Sequence, residues 1–221
     1  MSEQKQEWMI PPYSTTKLGT IYCCEFQDLL TTLADASASL IVTDPPYGRK
    51  WLSLYDNLLY QSGRLLRPLG SLLAILPNYA MPEIFSYSTP SLRFRWMLCM
   101  EQREGPWARL CNAKRNIAVT QKIIGWWTVH PWGGADYRQV EDSFRNPAPE
   151  KSGHPWQQSE RWGEYCLNWL PPGEKCDMMV LDPMLGNGTI GVVCERNGIP
   201  WIGCEVDEAT AEKAAERCAE V

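Results

Sequence analysis

The run Ile41-Val42-Thr43-Asp44-Pro45-Pro46-Tyr47-Gly48 carries the clearest chemistry in the chain. Three apolar or β-branched residues lead into an acid, two prolines, an aromatic and a glycine. Proline cannot continue a strand and fixes the backbone where it stands. The acid and the aromatic are therefore expected at the carboxyl end of a strand, where open α/β sheets place their ligands. An acid, a rigid turn with free carbonyls and an aromatic ring suit one task well. Asp44 and a carbonyl of Pro45 or Pro46 can accept hydrogen bonds from the exocyclic amine of a planar base while Tyr47 stacks on its ring.

A second group lies near the other end. Asp182-Pro183-Met184-Leu185-Gly186-Asn187-Gly188-Thr189 follows a short apolar run and precedes another. Gly186 and Gly188 let backbone approach a ligand closely, and the helix expected after them offers its first N–H groups. Glu205 lies 17 residues after Gly188, at the end of the next expected strand, Trp201-Ile202-Gly203-Cys204. An acid there is placed to bind ribose hydroxyls. Turn, helix, strand and acid in that order point to a nucleoside-bearing ligand.

With these two groups the chain resembles the S-adenosylmethionine-dependent amino-methyltransferases of nucleic acids. The Asp-Pro-Pro-Tyr run comes first and the glycine turn last, which is the permuted order of the β class of DNA amino-methyltransferases, of N(6)-adenine or N(4)-cytosine type. The resemblance spans residues 18–221. Ile21 to Leu30 looks like the family's opening strand and turn, with Cys24-Glu25 where Gly-Asp is usual. Arg64 to Gly70 looks like its helix end and turn, and His154-Pro155-Trp156-Gln157-Gln158 like its His-Pro-Thr-Gln-Lys segment.

The resemblance implies an α/β fold: a Rossmann-like methyltransferase sheet with helices on both faces and a circularly permuted motif order. It implies S-adenosyl-L-methionine as cofactor and DNA, duplex or single-stranded, as partner. The catalytic residues are then Asp44, Pro45, Pro46 and Tyr47. The cofactor residues are Asp182, Met184, Gly186, Gly188, Thr189 and Glu205, with Glu25 and His154 as further candidates. Asp at position 44 is usual for adenine enzymes of the family and Ser for cytosine-N(4) enzymes, so adenine is expected. An RNA adenine or cytosine-N(4) enzyme and a non-catalytic nucleic-acid-binding subunit of a methyltransferase pair are the alternatives.

Three departures stand out. Met184 replaces the usual Phe and softens that wall of the pocket. Gln158-Ser159 replaces Lys-Pro and removes a positive charge. Residues 126–153 leave only 28 positions, rich in Trp, Pro and Gly, where relatives carry a target-recognition region. Base readout needs an element that enters a groove. The short segment therefore predicts relaxed sequence specificity, recognition supplied by a dimer mate or a partner subunit, or a single-stranded substrate. Trp126, Trp127 and Trp132 are the tryptophans best placed to stack on a base.

The elements that must position these residues alternate along the chain. Strands are expected at 17–23, 40–43, 71–76, 93–101, 116–125, 178–181 and 201–204. Helices are expected at 26–33, 51–66, 81–87, 159–170, 188–197 and 208–220, with a loop over 125–149. A single catalytic domain over 1–221 follows, and the hydrophobic fraction of 44% is ample for its core. No run of apolar residues reaches the length of a membrane span and no signal peptide opens the sequence. Nine cysteines, scattered and without a Cys-x-x-Cys pair, and two histidines argue against a metal centre or a disulfide framework and for a reducing cytoplasm. The net charge of −5 is unevenly spread: residues 45–145 carry 13 basic and 7 acidic side chains, a local +6. That excess follows the Asp-Pro-Pro-Tyr run, where a polyanion would lie if one of its bases reached Asp44.

Overall fold

The structure is a computed structural model and describes residues 10–87, 89–102, 110–112, 117–129, 139–147 and 158–221. Nine strands form one sheet. In chain order they are β1 (Ser14–Thr15), β2 (Gly19–Cys23), β3 (Ala38–Thr43), β4 (Leu66–Leu76), β5 (Leu92–Glu101), β8 (Gln121–Val129), β9 (Ser143–Arg145), β10 (Val180–Asp182) and β11 (Trp201–Glu205). β6 (Leu110–Asn112) and β7 (Ile117–Val119) pair separately as a short antiparallel hairpin. The helices are α1 (Phe26–Thr32), α2 (Leu52–Leu65), α3 (Met81–Ser86), α4 (Glu160–Leu167), α5 (Thr189–Asn197) and α6 (Glu208–Ala219).

Across the sheet the order is β1-β2-β11-β10-β3-β4-β8-β5-β9. The five strands from β2 to β4 are mutually parallel, and β8 enters antiparallel between β4 and β5. Parallel strands need covered faces, and the apolar residues show how this is met. Leu40 and Val42 belong to one buried cluster and Ile41 to the other, and Leu73 and Ile75 alternate likewise with Leu72, Ala74 and Leu76. α4, α5 and α6 cover the first face, while α1, α2 and α3 cover the second. Arg64 in the last turn of α2 ties two of these helices together. Its guanidinium donates to the carbonyls of Leu30 (2.6 Å) and Leu33 (2.8 Å), which the end of α1 leaves without intrahelical partners.

Several boundaries differ from the sequence expectation. The turn expected at 67–70 lies inside β4, which begins at Leu66; Leu69 sits there at φ +70°, beside a register shift against Ala38 and Leu40. The loop expected from 125 begins later, because β8 runs to Val129, and β9 lies within the expected loop. Trp126 and Trp127 are therefore core residues, 7% and 5% exposed, and not base-stacking candidates. Trp126 donates to Ser71 Oγ at 3.1 Å and packs 4.3 Å from Trp169; Trp127 meets Phe94 across the opposite face. Trp132 lies outside the described residues.

The order of strands fixes where a ligand can bind. From β10 the chain passes through α5 to β11 on one side; from β3 it passes through α2 to β4 on the other. The two connections use helices on opposite faces. Their divergence opens a crevice beyond the carboxyl ends of β10 and β3, the topological switch point of the sheet.

Candidate active site

Both residue groups singled out in the sequence emerge at this crevice. Val180 pairs with Leu40 and Leu181 with Ile41, so Asp182 and Asp44 leave the same edge of the sheet from neighbouring strands. Gly203 pairs with Asp182, and Glu205 pairs with Cys23, which brings Glu205 and the α1 cap residue Glu25 to the same edge.

The backbone of the glycine turn is shaped by its residue types. Gly186 and Gly188 take left-handed conformations, φ +52° and +76°. Their surroundings differ. A Cβ on Gly188 would stand 3.1 Å from Ala214 Cβ and Cys218 Sγ, so Gly188 is needed for α6 to pack. A Cβ on Gly186 would meet nothing within 4 Å, so Gly186 faces open space. The N–H of Gly186 donates to Glu205 Oε2 at 3.0 Å, and the N–H of Asp207 donates to Glu205 Oε1 at 3.0 Å. These bonds hold the Glu205 carboxylate at the rim of that open space with lone pairs to spare. Thr189 opens α5, and Met184 packs its side chain against the cluster on the α1–α3 face.

Asp182 is almost fully buried, and its Oδ1 accepts from the N–H of Met184 at 3.1 Å. Burial pushes its carboxyl up to about 8, the negative charges of Asp44 and Glu205 add to the rise, and the Met184 bond opposes it. Asp182 thus holds a proton at neutral pH.

Asp44 sits at the centre of a dense set of donors. Tyr47 donates its hydroxyl to Asp44 Oδ1. Gln158 Nε2 donates to Oδ2 at 2.5 Å, and Lys122 Nζ approaches the same oxygen at 3.4 Å. A carboxylate only accepts, so the Gln158 amide must present its NH₂ here. Lys122 also donates to the Tyr47 hydroxyl at 3.0 Å and lies 5.3 Å from the centre of its ring. Desolvation and the Asp44 charge hold the Tyr47 hydroxyl well above its ordinary pKa, so it remains a donor. Tyr79 donates to the Tyr47 carbonyl at 2.5 Å and fixes the turn from α3's leading edge. Pro45 is buried and Pro46 exposed, so the first proline anchors the turn and the second lies at the surface.

The structure thus brings Asp44, Pro45, Pro46 and Tyr47 to one side of the crevice. Asp182, Met184, Gly186, Gly188, Thr189, Glu205 and Glu25 lie on the other. Gln158 joins the two, since its side chain bonds Asp44 while its carbonyl accepts from Thr189 Oγ1 at 3.4 Å. His154 lies outside the described residues. Lys122 is a site residue that the sequence reading does not reach. It comes from β8, whose antiparallel course makes its first residues, not its last, arrive at the ligand edge. The one signal in the sequence is a lysine opening an otherwise apolar run, Ile123-Ile124-Gly125-Trp126-Trp127. Lys122 and Gln158 bond the same oxygen, so the positive charge missing at position 158 is supplied from across the carboxylate.

Among the described residues no three His, Cys, Asp or Glu side chains are grouped to hold a metal ion. No helix there is long and apolar enough to cross a membrane.

No protein-family model matches the chain, and no curated protein does. Solved structures do. The PvuII DNA methyltransferase (cytosine-N4-specific) superposes with a TM-score of 0.77 at 17% identity, covering 95% of this chain and 89% of its own. M1.HpyAVI in complex with SAM gives 0.68 at 20% identity, with coverage of 90% and 100%. TTHA0409 of Thermus thermophilus, described as a DNA modification methylase and complexed with S-adenosyl-L-methionine, gives 0.67 at 18% identity, with coverage of 93% and 94%. The likeness establishes the fold: an α/β, Rossmann-like methyltransferase sheet with helices on both faces.

Proposed function

We propose that the chain is an S-adenosyl-L-methionine-dependent DNA methyltransferase that acts on the exocyclic amine of adenine. One observation carries the reading. An amine-accepting carboxylate, Asp44, and an open glycine turn with an acid at its rim stand at the carboxyl ends of two adjacent strands. The residues present fit the cofactor. Gly186 leaves room for a close approach, Glu205 can accept from ribose hydroxyls, and Asp182, Met184, Thr189, Glu25 and His154 complete the wall we assign to it. When bound, the cofactor supplies an electrophilic methyl group on a sulfonium.

The protein's own residues handle the base. An exocyclic amine is a poor nucleophile because its lone pair is delocalised into the ring. Acceptors at Asp44 and in the Pro45-Pro46 turn favour a more tetrahedral nitrogen whose lone pair points out of the ring plane. Tyr47 stacks on the base, which is worth about 1–3 kcal/mol and offsets part of the few kcal/mol lost when a base leaves the duplex. Holding amine and methyl donor in line supplies up to about 7–11 kcal/mol of the barrier reduction. Residues 1–221 form one catalytic domain in this reading. The short segment over 126–153 leaves specificity relaxed, supplied by a dimer mate or recognition subunit, or directed to single strands. The protein works in the cytoplasm.

Adenine is favoured by Asp at position 44. The cytosine-N(4) reading is supported by the PvuII enzyme, whose superposition covers nearly the whole chain. Labelled methyl transfer to duplex DNA, single-stranded DNA and RNA, followed by nucleoside mass spectrometry, separates these readings. N(6)-methyladenine in DNA is expected, and Asp44→Ala should lower the rate at least about 100-fold. N(4)-methylcytosine would replace adenine as the target. Cofactor binding without transfer to any of the three would mark a non-catalytic subunit and sink the enzyme reading.

A further inference from the structure

Lys122 is not explained by the chemistry above. An ammonium beside an amine acceptor competes with substrate for the same carboxylate, and placing it there requires a reason. Both side chains are largely sheltered, with relative exposures of 21% for Lys122 and 22% for Asp44. The hydrogen bonds can be counted. Lys122 has three N–H donors, and two have partners among the described residues: Asp44 Oδ2 and the Tyr47 hydroxyl. The Asp44 carboxylate has about four lone-pair sites, and three are taken: Tyr47 on Oδ1, Gln158 and Lys122 on Oδ2. What remains is one acceptor on Asp44 and one donor on Lys122, side by side and next to the ring of Tyr47.

We propose that Asp44 and Lys122 together read the Watson–Crick edge of the flipped base, with Lys122 donating to the ring nitrogen beside the target amine. This rests on the methyltransferase reading and deepens it. Adenine presents an amine donor next to the N1 acceptor, and cytosine presents one next to N3. Thymine and guanine present the reverse, a carbonyl next to an N–H. Their carbonyl would face the Asp44 carboxylate and their N–H the Lys122 ammonium, leaving like poles opposed and polar groups unpaired. The pair therefore admits adenine or cytosine and rejects the other two bases. A bond to the ring nitrogen draws electron density away from the amine, so Lys122 serves binding and selection, and its effect falls on KM more than on kcat.

The test uses the full chain and oligonucleotides carrying either the methylated base or its deaza analogue. The analogue is 1-deazaadenine for an adenine target and 3-deazacytosine for a cytosine target; each replaces the ring acceptor by C–H. Cofactor binding by calorimetry first shows that Lys122→Met and Lys122→Arg are folded. In wild type the analogue should raise KM roughly tenfold, the scale of a hydrogen bond to a charged group. Lys122→Met should raise KM for the natural base by a similar factor and be indifferent to the analogue, while Lys122→Arg should restore sensitivity. Any change the analogue makes to amine reactivity is common to all three proteins and cancels in the comparison. Equal analogue penalties in wild type and Lys122→Met would overturn the role of Lys122 while leaving the methyltransferase reading intact. Absence of methyl transfer to any base by wild type would overturn that reading, and the proposal with it.

Discussion

The residues most legible in the sequence are those whose backbone is constrained. Asp44 to Tyr47 and Asp182 to Thr189 are contiguous runs in which proline and glycine fix the chain direction, so type and spacing alone locate them at strand ends. Lys122 lacks such a frame; only the pairing of β8 with β4 reveals that it reaches Asp44. Gln158 is legible as a missing charge, but its bond across to Asp44 is not. Asp182 yields a prediction at this scale. Its pKa in the folded chain stands near 8 against an ordinary 3.8. Below about pH 4 folded and unfolded chains both hold the proton, and the site costs nothing. As pH rises toward 8 the unfolded chain releases the proton and the folded chain keeps it, so stability is lost across that window and levels off above it. Asp182→Asn keeps an acceptor for Met184 and removes the titration. Its urea midpoint should gain on wild type between pH 5 and pH 8, by up to about 4 kcal/mol in unfolding free energy. Parallel profiles for the two proteins would contradict the buried, protonated acid.

At the scale of elements, the helices and the parallel strands are readable from their apolar spacing, and β8 is hidden for a physical reason. A strand covered on both faces loses its alternation, and Trp126 and Trp127 are buried on opposite sides of the sheet. Gly125 then looks like the start of a loop when it is a strand position facing Ala74. β1 escapes the reading because two residues carry no period. The turn between β10 and α5 allows a comparison of two glycines with the same backbone hand and different neighbours. Gly186→Ala places a side chain in open space and pays only for the left-handed backbone, about 1–2 kcal/mol. Gly188→Ala adds contact with Ala214 and Cys218 and should cost more, about 2–4 kcal/mol. Denaturant unfolding measures the stability difference. Calorimetry should give the opposite order for cofactor, with the Gly186 variant losing more affinity per kcal/mol of stability lost.

Over the whole molecule, the charge division seen in the sequence has a structural counterpart. The basic span 45–145 contains β4, β5 and β8 on one side of the switch point, and the acidic span from 177 contains β10, β11 and α6 on the other. A polyanion approaching Asp44 from the basic side releases counterions, so DNA affinity should fall steeply with salt, with a slope of log K on log salt near −0.9 per phosphate neutralised. A flat titration from about 50 to 200 mM salt would remove the electrostatic footprint. The strand order has a consequence of a different kind. β10 and β11 lie between β2 and β3 yet are the last strands in the chain. A ribosome therefore releases the two flanks of the parallel sheet before the pair that joins them. Until β11 emerges, the inner edges of β2 and β3 stand open, each a row of unpaired amides and carbonyls able to recruit a strand from another chain. Synthesis of this protein passes through a late window in which its own centre is the missing piece, and a holdase that shields those two edges would act on the nascent chain and have nothing to hold once it is complete.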